Sequence, residues 1–422
     1  MRPIAESEWP EAYRETARSL RSAGAASRLI LSGCSACVDR LVTLAEAAPL
    51  LLASEDAEAV LLGRELLRRA AAGIGGEVLF HSKAAITLPD RLGAMRRLGG
   101  TAAQAAYALA QLGAPVLLAL EDRSAEQLEL LHPEILIATE DGLTRAAMIA
   151  PCASRGRLPH LIVEYAEGQA VAGIVPPRST RVIVRFADDG MEHDPHFIAA
   201  SRRLAAAAGC GILGGFNAIP AAAFGADLAE AAGLADSWRA AGLASLHLEL
   251  GDFVRPADRG AVLGALAGRC TSLGMSFSEL CSLLPGEEPV RAKAKYLAET
   301  LGLERVAIHA DAWALTLTRS DPWHEQEALL AGCLLAASRA ALGRPHVPDG
   351  PPAGARFRLP HPAFAEEAGW YAVACPAPWL ARPASTIGLG DTFVAGTMLA
   401  LGRRRHEPAS HPDIPIAEPE RS

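Results

Sequence analysis

The stretch Thr386-Ile387-Gly388-Leu389-Gly390-Asp391-Thr392-Phe393 leads directly into an apolar run over residues 394–400. Two glycines before such a run predict a turn that opens a helix, where unpaired backbone N–H groups can hold an anion. Asp391 at this helix start has two interpretations. It is either an N-terminal cap that stabilises the helix by about 1 kcal/mol, or a base that takes a proton from a hydroxyl group attacking a phosphate held by the glycine turn.

The composition limits the classes of protein to which the chain can belong. Half of its 422 residues are hydrophobic, 21% are charged and the net charge is −8. A chain of this length is expected to fold around a large core and to contain a second domain. An acidic chain lacks the basic face that nucleic acid requires, and the sequence contains neither a secretory signal nor an apolar run of about 18 residues. We therefore expect a soluble, cytoplasmic protein that binds neither nucleic acid nor a membrane.

Eight cysteines are scattered along the chain without the spacing of a disulfide framework or a zinc motif. Cys34 and Cys37 form a single C-x-x-C without a second pair. This pattern favours buried thiols over metal binding or redox chemistry.

The second half of the chain alternates between helical and strand patterns. Each of four helical patterns is followed by a short apolar run: 196–208 by 210–215, 226–241 by 245–250, 258–273 by 274–279, and 289–302 by 305–310. Regular alternation of this kind predicts a mostly parallel sheet with helices on both faces.

Residues 133–190 follow a different pattern. Short alternating segments at 161–165, 170–175 and 181–186 are separated by turns and predict β-hairpins. We interpret this region, with part of 45–97, as a smaller β-rich domain inserted into the first. Such a domain is suited to act as a lid that closes over a substrate and excludes water.

The amino-terminal part of the chain supplies a first strand and a second glycine turn. Residues 28–33 form an apolar run, and Asp39 follows as either a helix cap or a side chain at the ligand-binding edge of the sheet. Gly99-Gly100-Thr101 opens an alanine-rich helix over 102–112. The paired glycines permit close approach of the backbone to a sugar hydroxyl group, and tight packing of helix on sheet explains them equally well.

Several polar side chains fall at the carboxyl ends of predicted strands or at a helix start: Asp39, Asn217, His247, Glu249, Glu279, His309 and Asp391. Ligands bind along this edge in open α/β sheets, so one cleft can collect all of them. The competing interpretation of each is an ordinary cap or a solvated loop.

His247 and Glu249 share one face of a predicted buried strand. Burying both is costly unless a partner stabilises them, and hydrated Mg²⁺ is such a partner. Glu279 is the candidate second carboxylate. An anion-holding turn, a base and an acidic metal region together predict phosphoryl transfer, which depends on positioning and charge neutralisation.

With these motifs the chain resembles the ADP-dependent sugar kinases, the glucokinase and phosphofructokinase group of the ribokinase-like superfamily, over roughly residues 28–400. The order and spacing of five segments are similar to those of this family: Gly33 to Asp39, Gly99-Gly100, Pro177-Arg178-Ser179-Thr180-Arg181, His247-Leu248-Glu249 and Gly388-Leu389-Gly390-Asp391.

The resemblance implies a role for each matching residue. Asp391 would be the general base, and Gly388, Leu389 and Gly390 would form the anion hole for the transferred phosphoryl group. Glu249 and Glu279 would organise Mg²⁺ through water. The expected substrate-binding residues are Asp39, Gly100, Thr101, Asn217, Arg178 and Arg181. The residues expected beside the ADP nucleotide are His309, Asp311, Val373 and Pro376.

Two positions depart from the family pattern. The N-x-x-E element is Ser276-Phe277-Ser278-Glu279, which keeps the carboxylate but replaces the amide, so metal or phosphate placement is expected to change. The K-x-x-E segment of the glucose-specific members is aligned here with Lys83-Ala84-Ala85-Ile86, which lacks the carboxylate. This weakens a glucose site, and Arg178 or Arg181 is suited to bind a sugar phosphate instead.

The expected fold is α/β, a ribokinase-like three-layer α/β/α core with a mostly parallel sheet and a smaller β-rich lid domain. The predicted core comprises residues 1–44, 98–132 and 191–402, the lid 45–97 and 133–190, and a disordered tail 403–422. The predicted activity is transfer of the ADP β-phosphoryl group to a hexose or hexose phosphate, with fructose 6-phosphate favoured over glucose, by a monomer or homodimer. The alternatives are an ATP-dependent kinase of another small alcohol and a non-catalytic nucleotide or sugar sensor.

Overall fold

Two β-sheets and thirteen α-helices form the part of the chain that the computed structural model describes, residues 4–81, 86–153, 157–188 and 190–403. The strands are β1 Ile30–Gly33, β2 Cys37–Thr43, β3 Gly76–Leu79, β4 Met95–Gly99, β5 Val116–Leu118, β6 Leu136–Thr139, β7 Gly142–Arg145, β8 His160–Tyr165, β9 Thr180–Arg185, β10 Cys210–Leu213, β11 Ser245–Glu249, β12 Ser272–Ser276, β13 Arg305–His309, β14 Trp313–Thr318, β15 Phe364–Glu367 and β16 Trp370–Pro376. The helices are α1 Trp9–Ala25, α2 Leu44–Leu52, α3 Ala57–Ala71, α4 Leu88–Arg91, α5 Thr101–Gln111, α6 Ala125–Leu130, α7 Pro195–Leu204, α8 Phe224–Ala240, α9 Pro256–Leu266, α10 Phe277–Leu283, α11 Val290–Leu301, α12 Pro322–Leu342 and α13 Leu389–Leu401.

The larger sheet has eleven strands in the order β15-β16-β14-β13-β12-β11-β10-β1-β5-β6-β7. The strands from β13 to β6 in this order are all parallel to their neighbours. The strands at both ends of the sheet are antiparallel. The predicted mostly parallel α/β sheet is therefore confirmed, and its carboxyl edge gathers the ends of β1, β10, β11, β12 and β13.

Helices cover both faces of this sheet because successive strand residues point to opposite sides. In β1, Ile30 packs into one hydrophobic cluster with α1, α5, α12 and α13, whereas its neighbour Leu31 packs into another with α7, α8, α9 and α11. The expected three-layer α/β/α core is therefore confirmed.

The smaller sheet has five strands in the order β3-β9-β8-β2-β4. β8 and β9 are antiparallel neighbours, as the hairpin pattern predicted. The predicted segment 170–175 between them is not a strand and contains only an isolated bridge between Val171 and Ile174. One face of this sheet is apolar, and its Val163 and Val182 pack against Leu51 of α2 and Leu62 of α3. The opposite face contacts the core at Ile387, which packs against Leu41 and Ile162. We call the region between this face and the core the cleft.

Sheet membership differs from the predicted division of the chain in two places. β2 lies within the range 1–44 assigned to the core but pairs with β4 and β8 in the smaller sheet. β6 and β7 lie within the range 133–190 assigned to the lid but extend the larger sheet beside β5. Periodicity identifies a strand without naming its partner, and pairing over long sequence distances decides which sheet it joins.

Two predicted strands end earlier than their patterns suggested. Residues 77–88 have a strand-like pattern in the sequence, but the strand described there is β3, and residues 82–85 lie outside the described part of the chain. The run 274–279 is strand only as far as Ser276, where α10 begins. The predicted tail beyond Arg403 also lies outside the described residues. Among the described helices, none is long and apolar enough to cross a membrane.

Candidate active site

Alternate residues of the smaller sheet line the cleft. The register places these side chains on the face opposite to α2 and α3, which we call the cleft face: Cys37, Asp39 and Leu41 of β2, Glu77 of β3, His160, Ile162 and Glu164 of β8, and Arg181, Ile183 and Arg185 of β9. The period of two in a strand explains why these residues share a face.

The cleft face contacts the segment that precedes α13. Glu164 accepts hydrogen bonds from the hydroxyl groups of Ser385 and Thr386 at 3.0 and 2.8 Å and from the backbone N–H of Ile387 at 3.1 Å. Ile387 also packs against Leu41 and Ile162. The smaller sheet therefore lies directly over the start of α13.

Gly388 caps α13 in a left-handed conformation, with φ of 69°. A Cβ atom at this position would collide with the guanidinium group of Arg339 and with Gln104. At Gly390 a Cβ atom would lie 3.1 Å from Cε1 of His309. Gly388 is therefore required by its conformation and by close packing, whereas a side chain at position 390 would need His309 to shift by a few tenths of an ångström. The first N–H groups of an α-helix have no partner within the helix, and here Arg339 and His309 border that helix start.

Asp391 occupies the first turn of α13 and is half-buried. Burial raises the pKa of its carboxyl group, while the charge of Arg339 and a hydrogen bond from the Thr101 hydroxyl oppose that rise. The carboxylate is thus a stronger base than an exposed aspartate, which suits a group that accepts a proton near neutral pH.

Arg339 of α12 is a site residue that sequence reasoning missed. It is 4% exposed and donates to the Thr392 hydroxyl at 3.1 Å and to the side-chain oxygen of Gln104. Burial lowers its pKa to about 10, so it remains charged at neutral pH. Its signal in the sequence was an arginine inside the otherwise apolar stretch 328–342, since arginine is rarely buried without a partner.

A chain of hydrogen bonds ends at Glu249. Arg305 donates to the Ser272 hydroxyl at 3.0 Å, and that hydroxyl lies 2.8 Å from Nδ1 of His247. Nε2 of His247 lies 3.0 Å from one Glu249 oxygen, and Nε2 of His309 lies 3.2 Å from the other.

The two histidines set the ionisation of Glu249. Its burial raises the pKa of the carboxyl group, but the hydrogen bonds from His247 and His309 outweigh burial and hold it below the usual value. Burial lowers the pKa of His309, but Glu249, Glu279 and Asp391 outweigh this and raise it overall. His309 therefore links the acidic region to the start of α13.

Glu279 and Ser276 form a capping box at the start of α10. The Ser276 backbone N–H donates to Glu279 at 2.7 Å, and the Glu279 N–H donates to the Ser276 hydroxyl at 3.2 Å. The serine that replaces the family asparagine thus has a local structural use. The pKa of Glu279 is raised to about 7, first because the carboxyl group is buried and second because the charge of Glu249 repels its ionised form.

This donor set fits Mg²⁺ held through water. The buried carboxylate of Glu249 and the half-buried carboxylate of Glu279 repel each other and would gain from a cation, and Mg²⁺ prefers oxygen ligands and keeps several waters. Both oxygens of Glu249 already contact histidines. Coordination through water preserves these contacts.

Three of the residues predicted to bind the acceptor lie on β2 and at the start of α5. Asp39 is 3% exposed on the cleft face. Gly100 has φ of 84°, and a Cβ atom there would lie 2.7 Å from the carbonyl oxygen of Ser35, so only glycine fits. Thr101 follows, and its hydroxyl group donates a hydrogen bond to Asp391, the predicted base.

The structure separates the two predicted phosphate-binding arginines. Arg181 lies on the cleft face opposite Glu164, and its charge lowers the pKa of Asp391. Arg178 lies 3.6 Å from Asp311 in an exposed ion pair. Arg181 therefore lies near enough to Asp391 for its charge to act on that carboxylate, while Arg178 and Asp311 form a pair that is exposed to solvent.

Asn217 belongs to a different contact between the two sheets. Its amide donates to Glu77 and, at 3.2 Å, to the carbonyl oxygen of Asp252. Arg185 donates to the Asn217 carbonyl oxygen at 3.0 Å. These contacts fix the second point at which the smaller sheet contacts the core.

Val373 and Pro376 lie in β16 within the larger sheet. Val373 is fully buried in the hydrophobic core. Pro376 is also buried, and its carbonyl oxygen accepts a hydrogen bond of 2.6 Å from the Tyr13 hydroxyl. Pro376 pairs with Trp313, and the backbone N–H of Ala377 donates to the Ala312 carbonyl oxygen at 2.9 Å, so Pro376 lies beside the turn that contains Asp311. Contact of Val373 and Pro376 with a nucleotide stays a prediction.

The sequence of residues 62–288 matches the family model described as the ADP-specific phosphofructokinase/glucokinase conserved region. This span is more than half of the chain and contains Arg178, Arg181, Glu249 and Glu279. No curated protein sequence matches the chain.

Three solved structures share the fold at low sequence identity. The last common ancestor of ADP-dependent phosphofructokinases from Methanosarcinales is 19% identical, with a TM-score of 0.72, 96% of this chain covered and 100% of that chain. An ADP-dependent kinase complex with fructose-6-phosphate and ADPbetaS is 18% identical, with a TM-score of 0.75 and the same coverage. A phosphofructokinase from Pyrococcus horikoshii OT3 with AMP is 17% identical, with a TM-score of 0.66, 89% of this chain covered and 98% of that chain.

Proposed function

This chain belongs to the ADP-specific phosphofructokinase/glucokinase family, and on that premise we propose that it transfers the β-phosphoryl group of ADP to fructose 6-phosphate and releases AMP. The family is one of ADP-dependent sugar kinases, so the chain is a phosphotransferase with an alcohol group as acceptor. We propose the identity of the acceptor, the identity of the metal and the role of each residue as follows.

One observation supports the chemistry most directly. Asp391, a half-buried carboxylate with a raised pKa, lies in the first turn of α13 beside the buried charge of Arg339. A base, unpaired backbone N–H groups and a fixed cation thus meet at one helix start. This is the set of groups that phosphoryl transfer requires.

In the proposed reaction, Asp391 accepts the proton of the acceptor hydroxyl group as its oxygen attacks the β-phosphorus of ADP. The bond from the β-phosphorus to the bridging oxygen breaks, and AMP leaves with that electron pair. Backbone N–H groups of residues 389–391 and the guanidinium group of Arg339 stabilise the charge on the transferred phosphoryl oxygens. Mg²⁺, when bound, neutralises phosphate charge, and Glu249 and Glu279 would hold it through water.

The proposed preference for a sugar phosphate rests on Arg181. Its guanidinium group lies on the cleft face, where Asp39 also lies, and guanidinium pairs well with phosphate. Position 86, aligned with the glutamate of the glucose-specific members, is an isoleucine that is 73% exposed. The solved kinase complex with fructose-6-phosphate and ADPbetaS shares this fold.

We further propose that the smaller sheet is a lid. Its contacts with the core include the hydrogen bonds of Glu164, the Glu77 and Asn217 pair, and the packing of Leu41 and Ile162 against Ile387. Opening would break these contacts and expose the cleft. Closure would then exclude water from the phosphoryl group.

The test is release of AMP from ADP and Mg²⁺, with ATP as donor in parallel, across glucose, fructose 6-phosphate and a panel of other sugars. We expect AMP only with ADP, and most of it with fructose 6-phosphate. AMP with glucose alone would overturn the proposed acceptor. Turnover only with ATP, or binding without turnover, would support the ATP-dependent kinase or the sensor instead.

Arg181→Gln and Arg178→Gln form a matched pair for the acceptor. If Arg181 binds the sugar phosphate, its variant raises the KM for fructose 6-phosphate at least about 10-fold, because a charged hydrogen bond contributes roughly 1.5–3 kcal/mol. Arg178→Gln is expected to change this KM little, since its ion pair is exposed. Equal effects of the two variants would contradict the assignment.

A further inference from the structure

Three side chains of metal-ligating type meet on the cleft face, apart from Glu249 and Glu279: Cys37, Asp39 and His160. Cys37 and Asp39 are two residues apart on β2, so they share a face. The parallel register of β2 and β8 places His160 directly beside Asp39. The backbone pairing itself therefore brings a thiol, a carboxylate and an imidazole together.

The three ligand atoms form a nearly equilateral triangle. Sγ of Cys37 lies 3.6 Å from Oδ1 of Asp39 and 3.6 Å from Nδ1 of His160, and the latter two atoms are 3.5 Å apart. Three ligands on a tetrahedral Zn²⁺ with ordinary bond lengths are separated by about 3.4–3.6 Å. The two distances to Sγ match this geometry, and the Asp39–His160 pair needs to approach by only about 0.2 Å to receive the ion.

We propose that Cys37, Asp39 and His160 bind Zn²⁺ as three protein ligands, with the fourth position open to water or to a ligand in the cleft. The donor set selects this class of ion, because sulfur and imidazole ligands suit Zn²⁺ whereas Mg²⁺ prefers oxygen. The thiol is half-buried, and the Asp39 and His160 side chains are 5% and 16% exposed, so the site is enclosed but reachable.

Gly99 on the neighbouring strand β4 makes room for the three ligands. A Cβ atom at this position would lie 2.6 Å from Sγ of Cys37 and would collide with Oδ1 of Asp39. The buried Cys34, the other cysteine of the C-x-x-C, is not part of this cluster. The sequence pattern had favoured buried thiols for both cysteines, and the structure assigns them different surroundings.

Zinc binding at this site does not depend on the proposed function, but its effect on turnover does. Asp39 is also a proposed ligand of the acceptor sugar. If both assignments hold, Zn²⁺ competes with the acceptor and raises its apparent KM without lowering kcat.

The test measures Zn²⁺ binding to the full chain by calorimetry and by competition with a chromogenic chelator. Cys37→Ser and His160→Gln each remove one ligand, and the matched controls are Cys152→Ser and His196→Gln, which alter exposed residues. Thermal melting of each variant verifies the fold. Absorption of the Co²⁺-loaded protein reports a metal–thiolate bond directly.

We expect one Zn²⁺ per chain, a thiolate-to-cobalt charge-transfer band, and an affinity loss of at least about 10–100-fold in each ligand variant. Both controls should bind as the wild type does, and Cys37→Ser should lose the band. Equal affinity of the wild type and the folded ligand variants, or absence of binding, would overturn the site. If the chain binds Zn²⁺ but releases no AMP with any acceptor, the proposed function fails while the metal site stands.

Discussion

Glu164 of the smaller sheet accepts a hydrogen bond of 3.1 Å from the backbone N–H of Ile387, the residue before the glycine turn of α13. The same carboxylate accepts from the Ser385 and Thr386 hydroxyl groups. A single side chain of the proposed lid therefore accepts hydrogen bonds from three successive residues, 385–387, which lead into the proposed anion hole. This relationship connects closure of the cleft with the position of Gly388.

Replacing Glu164 by alanine should weaken closure. Hydrogen bonds to a charged group contribute roughly 1.5–3 kcal/mol, so kcat/KM for the acceptor should fall roughly 10–100-fold. Steady-state kinetics of Glu164→Ala measures this, with Glu167→Ala on the exposed turn after β8 as the control. Unchanged kcat/KM in the folded Glu164 variant would show that this contact does not hold the cleft closed.

Asp391→Asn tests the proposed base. Asparagine keeps the size of the side chain and can still accept the hydrogen bond from Thr101, but it cannot accept the proton, so kcat should fall roughly 10²–10⁴-fold. Binding of ADP and the melting temperature should change little. AMP release by this variant at the wild-type rate would rule out Asp391 as the base.

Removing the charge of Arg339 should affect both rate and pH dependence. Loss of one donor to the transferred group typically lowers kcat roughly 10²–10³-fold. Arg339 also lowers the pKa of Asp391, so Arg339→Gln should move the acidic limb of the rate profile to higher pH. A pH profile of kcat/KM measures both effects.

Two further variants make the Arg339 experiment specific. Arg339→Lys keeps a positive charge and should shift the acidic limb less than the glutamine variant. Arg344→Gln changes an exposed arginine just after α12 and should leave the profile unchanged. An acidic limb at the same pH in Arg339→Gln and the wild type would contradict the proposed interaction with Asp391.

Glu77 should make stability depend on pH. Burial raises its pKa to about 7, despite the charge of Arg185, whose Nε lies 2.9 Å from the carboxylate. Between pH 4.5 and 7 the folded state keeps a proton that the unfolded state has lost. The free energy of unfolding must therefore fall as pH rises through this window, by an amount on the order of 3 kcal/mol at most.

Urea unfolding from pH 5 to 8 measures this effect. Glu77→Gln carries no titrating group, so its stability should change less with pH than that of the wild type. Glu140→Gln, at an exposed turn, should keep the wild-type slope. The same slope in Glu77→Gln and the wild type would show that Glu77 does not carry this dependence.

Local patterns in the sequence were sufficient for the architecture of the larger sheet. The alternation of helix and strand after residue 196 correctly predicted the parallel strands from β10 to β13. The glycine turn at Gly388 correctly predicted the start of α13. These features depend on periodicity and on backbone freedom, both of which are properties of short segments.

Some local information was available but was not recognised. Ser276 and Glu279 are spaced as a capping box, and the structure shows that box at the start of α10. His160 alternates with Ile162 and Glu164, a pattern that places all three on one strand face. Arg339 is a charged residue among mostly apolar neighbours in the sequence, a pattern that indicates a buried arginine with a partner, and the structure shows it buried.

The sequence by itself determined the α/β class, the parallel sheet and the glycine turn with its carboxylate, because neighbouring residues encode each of them. Only the tertiary structure decided that β2 joins the smaller sheet, that Arg339 borders Gly388, and that His160 lies beside Cys37 and Asp39. The physical reason is that these contacts join residues far apart in the chain, so strand register and helix packing across both sheets place them.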